Sequence, residues 1–171
     1  RMHRRAMRLL QRELRQQVLS DGGHEERSAS YHLLMLDRLA ELAHALRAIA
    51  GDQPPWLMEA IEAMAHWAEL IRLETGAAPR FNDSAADAAP ALDAVLAFAT
   101  AVLPEVSPSA EHPRAQAVVT DLQDTGWTLL RPGQGWELMF KCGVPCPNHL
   151  PGHVHSDQLS FELCHSGRWL L

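Results

Sequence analysis

The chain has 171 residues, 47% of them hydrophobic and 21% charged, with a formal net charge of -6 at neutral pH. This composition excludes a wholly disordered chain, and the acidic balance argues against a dedicated nucleic-acid binder. No apolar run reaches the roughly 18 residues of a transmembrane helix, and none follows the basic start in the manner of a signal peptide.

The first part of the chain reads as helices. Met2, Ala6, Leu9, Leu10, Leu14 and Val18 gather on one side of a helix over 1–20. Arg1, Arg5, Arg8, Arg12 and Arg15 recur on another side. That stripe reads as a solvated face, because no aromatic residues interleave with it for base stacking. Asp21-Gly22-Gly23 stops the helix. A second helix starts near Ser28 or Ser30, either of which is placed to cap it, and ends at Gly51. It carries Leu33, Leu34, Leu36, Leu39, Leu42, Leu46 and Ile49. A third follows Pro54-Pro55 and runs from Trp56 to Leu73, with Trp56, Met58, Met64 and Trp67 as packing residues. A small-residue loop over 76–90 contains Phe81-Asn82-Asp83-Ser84, and a fourth helix spans 91–102.

Pro104, Pro108 and Pro113, with Ser107 and Ser109, mark a linker over 104–113. Beyond it the period changes. Strands are predicted over 126–130 and 136–140, joined by the hairpin turn Pro132-Gly133-Gln134-Gly135. Gln158 to Leu163 alternates polar and apolar residues, and Ser166-Gly167 turns into a last strand over 168–171. Helices followed by strands predict an α+β fold, with a helical part over 1–103 and antiparallel strands over 114–171. Arg1 lies inside a running helix, and Arg168-Trp169-Leu170-Leu171 ends without a cap. Four or five strands leave one sheet face to cover. The expectation is an internal piece of a longer protein, truncated at both ends.

Two constellations can carry chemistry. The segment Asp21 to His32 holds the chain's single tyrosine, Tyr31, together with His24, His32 and three acids. A phenol titrates near ~10 and is a weak base at neutral pH, but a nearby cation or helix N-terminus lowers it and lets it shuttle protons. Composition alone favours a plainer reading, a capped helix start with Ser30 as the cap and Tyr31 packing down. The second constellation is Gly152-His153-Val154-His155-Ser156-Asp157. In an extended segment His153, His155 and Asp157 share one face. Imidazoles with a carboxylate suit zinc or a similar ion, or one histidine acts as acid or base. Surface histidines on a turn are the alternative. Cys142 and Cys146 form a CxxxC, open to free thiols or to a bridge in an oxidising compartment, and Cys164 is the odd one.

Together these segments resemble the heparinase II/III-like family of polysaccharide lyases. Asp21 to His32 is similar to the family's DGG-x-x-ERS-x-x-YH segment, and Leu150 to Leu163 to its GH-x-H-x-D-x-LSFEL segment. Phe81-Asn82-Asp83-Ser84 and Gly126-Trp127 fit the pieces between them. The resemblance implies the last helices of an incomplete (α/α) toroid over 1–103, then the first strands of an antiparallel β-sandwich over 114–171, with the active site between them. It also implies β-elimination on uronic-acid-containing glycans: the C5 proton is removed and the C4 oxygen leaves. Such chemistry needs a base, an acid and a neutraliser of the substrate carboxylate.

Tyr31 matches the family's catalytic tyrosine, usually the acid and sometimes the base. His153 matches its catalytic histidine. His155 matches a position that binds a structural zinc in some members, and Asp157 belongs to the same motif. His24 and Arg27 are candidate substrate contacts. The neutraliser is expected before Arg1 and further zinc ligands beyond Leu171, so the chain by itself is expected to be inactive. The implied partner is an acidic polysaccharide (heparan-type, alginate or capsular uronan), without nucleic acid or a transmembrane segment, in the periplasm or outside the cell. Two alternatives stand beside this reading. One is a non-catalytic polysaccharide-binding member. The other is a cupin-like metal site, against which Glu162 follows His155 after six residues and with opposite parity.

Overall fold

The computed structural model describes residues 2–103 and 118–171. The linker expected over 104–113 lies outside the described residues. Helix α1 is Met2–Gln17, α2 Ala29–Ala50, α3 Pro55–Ile71 and α4 Leu92–Val102. Strands β1 (Val119–Leu122), β2 (Trp127–Gly133), β3 (Trp136–Lys141), β4 (Phe161–His165) and β5 (Arg168–Trp169) form one antiparallel sheet in the order β1-β2-β3-β4-β5. The architecture is α+β, helices then sheet. No described helix is long and apolar enough to cross a membrane.

Local chemistry sets the helix ends. Ser28 caps α2, its side chain accepting from the Tyr31 backbone N at 3.3 Å. Ser30 instead donates to the Ala85 carbonyl at 3.3 Å. Gly51 ends α2 at φ 69, a left-handed cap whose N–H returns to Arg47 O. Pro54 and Pro55 begin α3 where a missing N–H does no harm.

Two cores meet at α3. Leu36, Ala40 and Ala43 of α2 pack with Leu57, Ile61, Met64 and Ala68 of α3 and Val95, Ala99 and Val102 of α4. Trp67 and Ile71, from the last two turns of α3, belong to the second core with Phe81, Leu122, Trp127, Leu129, Met139 and Cys164. Trp67 and Phe81 lie 5.3 and 5.1 Å from the Trp127 ring. Arg131 fastens the sheet to the end of α3, donating to the carbonyls of Leu70 at 2.9 Å and Arg72 at 3.2 Å. These belong to the carbonyls a helix end leaves without intrahelical partners. Buried Glu137 accepts from Arg131 Nε at 3.2 Å and from the Glu74 N–H at 2.7 Å. On the outer face Leu130, Leu138 and Leu163 pair across three strands, half-buried beside exposed Phe161.

The loop after α1 is clamped between the layers. Asp21 accepts from the Thr125 N–H at 2.6 Å and its hydroxyl at 2.9 Å, and Trp67 Nε1 donates to that hydroxyl at 3.0 Å. Gly22 sits at φ 89, where a Cβ would lie 2.4 Å from Ala63 O. Only glycine fits there.

Several expectations are corrected. Strand β1 has no strong pattern: Val119-Thr120-Asp121-Leu122 is short and carries a charge, and it forms by pairing with β2. The hairpin loop is Gln134-Gly135, both at positive φ (53 and 76) as a two-residue hairpin favours, and β2 extends through Gly133. Strand β4 starts at Phe161, not Gln158, because a turn in which the Ser160 N–H donates to Asp157 O at 3.1 Å puts Leu159 at φ 61. The stretch from Gly152 to Asp157 is not extended. Pro151–His153 forms a 3-10 turn, and a loop follows it. Cys142, Cys146 and Cys164 are all free.

Candidate active site

Three loops converge at the seam between the layers. The cap at Ser28 places Tyr31 in the first turn of α2. The loop after α3 supplies Asn82 and Asp83. The turn at Pro151–His153 and the loop beyond it supply His153, His155 and Asp157.

Asp83 lies at the centre. The Tyr31 hydroxyl is 3.2 Å from Asp83 Oδ2 and 3.1 Å from His153 Nδ1. His153 Nδ1 lies 2.6 Å from the same Oδ2, and His155 Nε2 lies 2.5 Å from Oδ1. The Tyr31 and His153 rings meet edge-on with centroids 4.9 Å apart. His153 Nε2 is 3.6 Å from Glu26 Oε2, beyond hydrogen-bond reach.

The carboxylates set the proton balance. The hydrogen bond from His153, with those from His155 and Tyr31, holds Asp83 below the usual carboxylate range. The same bond raises His153, helped by the charges of Glu26 and Asp83. Loss of water raises Tyr31, and its bond to Asp83 and the charges of Asp83 and Glu26 add to this. A cation or helix N-terminus was the route expected to lower the phenol. Two carboxylates oppose it instead, so Tyr31 keeps its proton at neutral pH. Desolvation also raises Glu26.

Asn82 anchors the centre. It is buried at φ 52, a left-handed conformation that asparagine tolerates. Its N–H donates to Asp157 Oδ2 at 2.6 Å. Its side-chain amide reaches the carbonyls of Glu26, Arg27 and Pro145 at 3.0 to 3.1 Å. Its Oδ1 accepts from Lys141 Nζ, which also bonds Asp157. The shared face expected of His153, His155 and Asp157 is therefore corrected. The two histidines turn to Asp83, while Asp157 turns inward to Asn82 and the buried Lys141, because the segment is a turn and not a strand.

His24 is 6% exposed, accepts from the Glu26 N–H at 3.3 Å, and is pushed down to about 4 by burial. A substrate contact by His24 requires its loop to open. Arg27 donates to the carbonyls of Glu25 at 3.0 Å and Asp124 at 3.2 Å, bridging the helical layer to the β1–β2 turn. His155 is the candidate zinc residue. Among the described residues no group of three or more His, Cys, Asp or Glu side chains is placed to hold a metal, so the donors present do not by themselves make a zinc site. A cupin-like arrangement is excluded by geometry. Its histidines would sit on a strand, and here Glu162 instead accepts from the Arg80 N–H at 2.8 Å.

Sequence reasoning assigned no role to Asp83 and passed over Lys141. Both left a trace. Asn82-Asp83 is a polar pair within a loop of alanine, glycine and proline, and Lys141 is the only lysine in the chain. It is the last residue of β3, on the same buried face as Met139.

Comparison with known proteins fits this geometry. Residues 2–108 match the family model described as heparinase II/III N-terminus, and residues 114–171 the one described as heparinase II/III-like, C-terminal. The chain belongs to the heparinase II/III family. Among solved structures it is similar to heparan sulfate lyase HepC from Pedobacter heparinus, with a TM-score of 0.67 and 22% identity over 94% of this chain and 26% of that one. It is also similar to a heparinase III, with a TM-score of 0.72 and 20% identity over 95% of this chain and 29% of that one. These likenesses show the fold: part of a helical toroid followed by part of a sandwich. The chain spans less than a third of either protein's length. No curated protein sequence matches it.

Proposed function

We propose that this chain carries the acid–base pair of a polysaccharide lyase that cleaves uronic-acid-containing glycans by β-elimination. The observation that carries the reading is the meeting of Tyr31 and His153, 122 residues apart in the chain, at 3.1 Å around one carboxylate. Tyr31, raised and protonated, is the acid that donates to the departing C4 oxygen. His153 in its neutral form is the base for the C5 proton, and it acts through Nε2 because Nδ1 faces Asp83. The bond to Asp83 raises the affinity of the imidazole for the proton it takes.

The neutraliser of the substrate carboxylate is assigned to none of the described residues. Heparan-type glycans are the favoured substrate class, because both similar structures are heparin- or heparan-degrading lyases by name. A periplasmic or extracellular location follows from that substrate. The test is ultraviolet absorbance of the 4,5-unsaturated product made by the complete protein. Tyr31→Phe and His153→Ala each lower kcat by at least about a hundredfold. Unchanged turnover in His153→Ala removes that residue from the mechanism. Saturable binding of uronate polymers with no product supports the non-catalytic alternative.

A further inference from the structure

We propose that Asp83 is a positioning residue for this pair, locking His153 as its Nδ1–H tautomer and aiming the Tyr31 hydroxyl. The proposal rests on the acid–base reading above and names the residue that makes it work.

Donor and acceptor bookkeeping assigns every proton. An ionised carboxylate only accepts. The nitrogens at 2.6 Å (His153 Nδ1) and 2.5 Å (His155 Nε2) must therefore each carry a hydrogen. His153 Nδ1, already donating to Asp83, has no lone pair to offer the phenol 3.1 Å away. The Tyr31 proton goes instead to Asp83 Oδ2 at 3.2 Å. Two consequences follow. Neutral His153 has a bare Nε2, the nitrogen free of Asp83. The phenol rotor is fixed although Tyr31 and His153 come from opposite layers. Among the described residues Asp83 is the side chain bonded to both.

The carboxylate can do this because its own place is fixed. Asp83 follows Asn82, whose N–H, amide and carbonyl oxygen tie it to Asp157, three backbone carbonyls and Lys141. Lengthening the side chain to glutamate moves the carboxylate by one methylene. Asparagine presents an NH₂ where two histidine N–H groups and a phenol need acceptors. The Asp83 side chain is 31% exposed, so substitution leaves no buried cavity.

The first test does not involve activity. Ring ¹⁵N chemical shifts of the histidines are recorded on this chain at about pH 9, where imidazole is neutral. In the wild type His153 reads as protonated Nδ1 and bare Nε2. In Asp83→Ala it moves toward the Nε2–H form that free histidine prefers, and in Asp83→Asn either His153 or His155 changes tautomer. A wild-type His153 already in the Nε2–H form overturns the proposal, as does an Asp83→Ala spectrum identical to wild type.

The second test uses the complete protein. Asp83→Ala lowers kcat on the order of a hundredfold with KM changed less than about threefold, and Asp83→Glu does not restore it. Full kcat in Asp83→Ala overturns the proposal. If the wild type makes no unsaturated product, the acid–base reading fails, and with it Asp83's part in catalysis. The tautomer result then shows separately whether the lock exists.

Discussion

Acidification charges His32 in the unfolded chain and not in the folded one. This histidine is fully buried in α2, with Nε2 2.9 Å from Met64 O and its ring 4.3 Å from Trp67. The Met64 carbonyl can only accept, so Nε2 carries the hydrogen, and Nδ1 is buried without a hydrogen-bond partner among the described residues. Burial pushes the pKa from 6.5 down to about 3. The folded value is depressed, so the unfolded state binds the extra proton throughout that window. Stability is whole above the unfolded pKa and drains away as pH falls below it. At about pH 4.5 the unfolded ring lies two units past its midpoint, which corresponds to a loss of about 3 kcal/mol. His24, depressed to about 4, adds a loss of similar size. Carboxylates titrate in the same range, so the His32 share is read as a difference. Urea unfolding is followed by tryptophan fluorescence at about pH 7.5 and about pH 4.5, in the wild type and in His32→Asn. The variant starts less stable, but its acid-induced loss is smaller by about 3 kcal/mol. Equal losses in the two proteins would refute a neutral, proton-excluding His32.

Two more substitutions probe the packing of the sheet and its loops. Gly126 sits at φ 78 with its ideal Cβ 2.3 Å from Gly143 Cα, so Gly126→Ala forces two backbones apart and destabilises by at least about 2 kcal/mol in the same urea assay. Lys141→Met leaves the Asp157 carboxylate without its cation and costs about 3 kcal/mol, with a lowered unfolding midpoint as the readout.

The helices were legible because each has its own punctuation. Ser28, Gly51 and Pro54-Pro55 act on the turn next to them, and the apolar period needs no knowledge of distant residues. Strands β2 and β3 were legible as apolar runs on either side of a glycine-rich turn. Strand β1 was not, since four residues with a central aspartate gain their order from β2. The histidine pair was visible in the sequence, but its backbone was misjudged. Alternation suggests a strand, yet Pro151 and Gly152 favour a turn, and no neighbouring strand pairs there to overrule them. The family motifs brought Tyr31 and His153 into view. The residue between them was hidden, because nothing local about Asp83 reveals that two loops 52 and 70 residues away will land on it.

The knot of bonds at Asn82 has a kinetic meaning. It ties segments 56, 63 and 75 residues apart in the chain, and the bonds to Pro145 and Asp157 cannot form until helices and sheet have docked. Chain closure over such distances is slow compared with winding a helix. The cluster is therefore expected to complete late in folding. The bonds of Asn82 to Asp157 and Pro145, more than helix content, report whether the two layers are still joined.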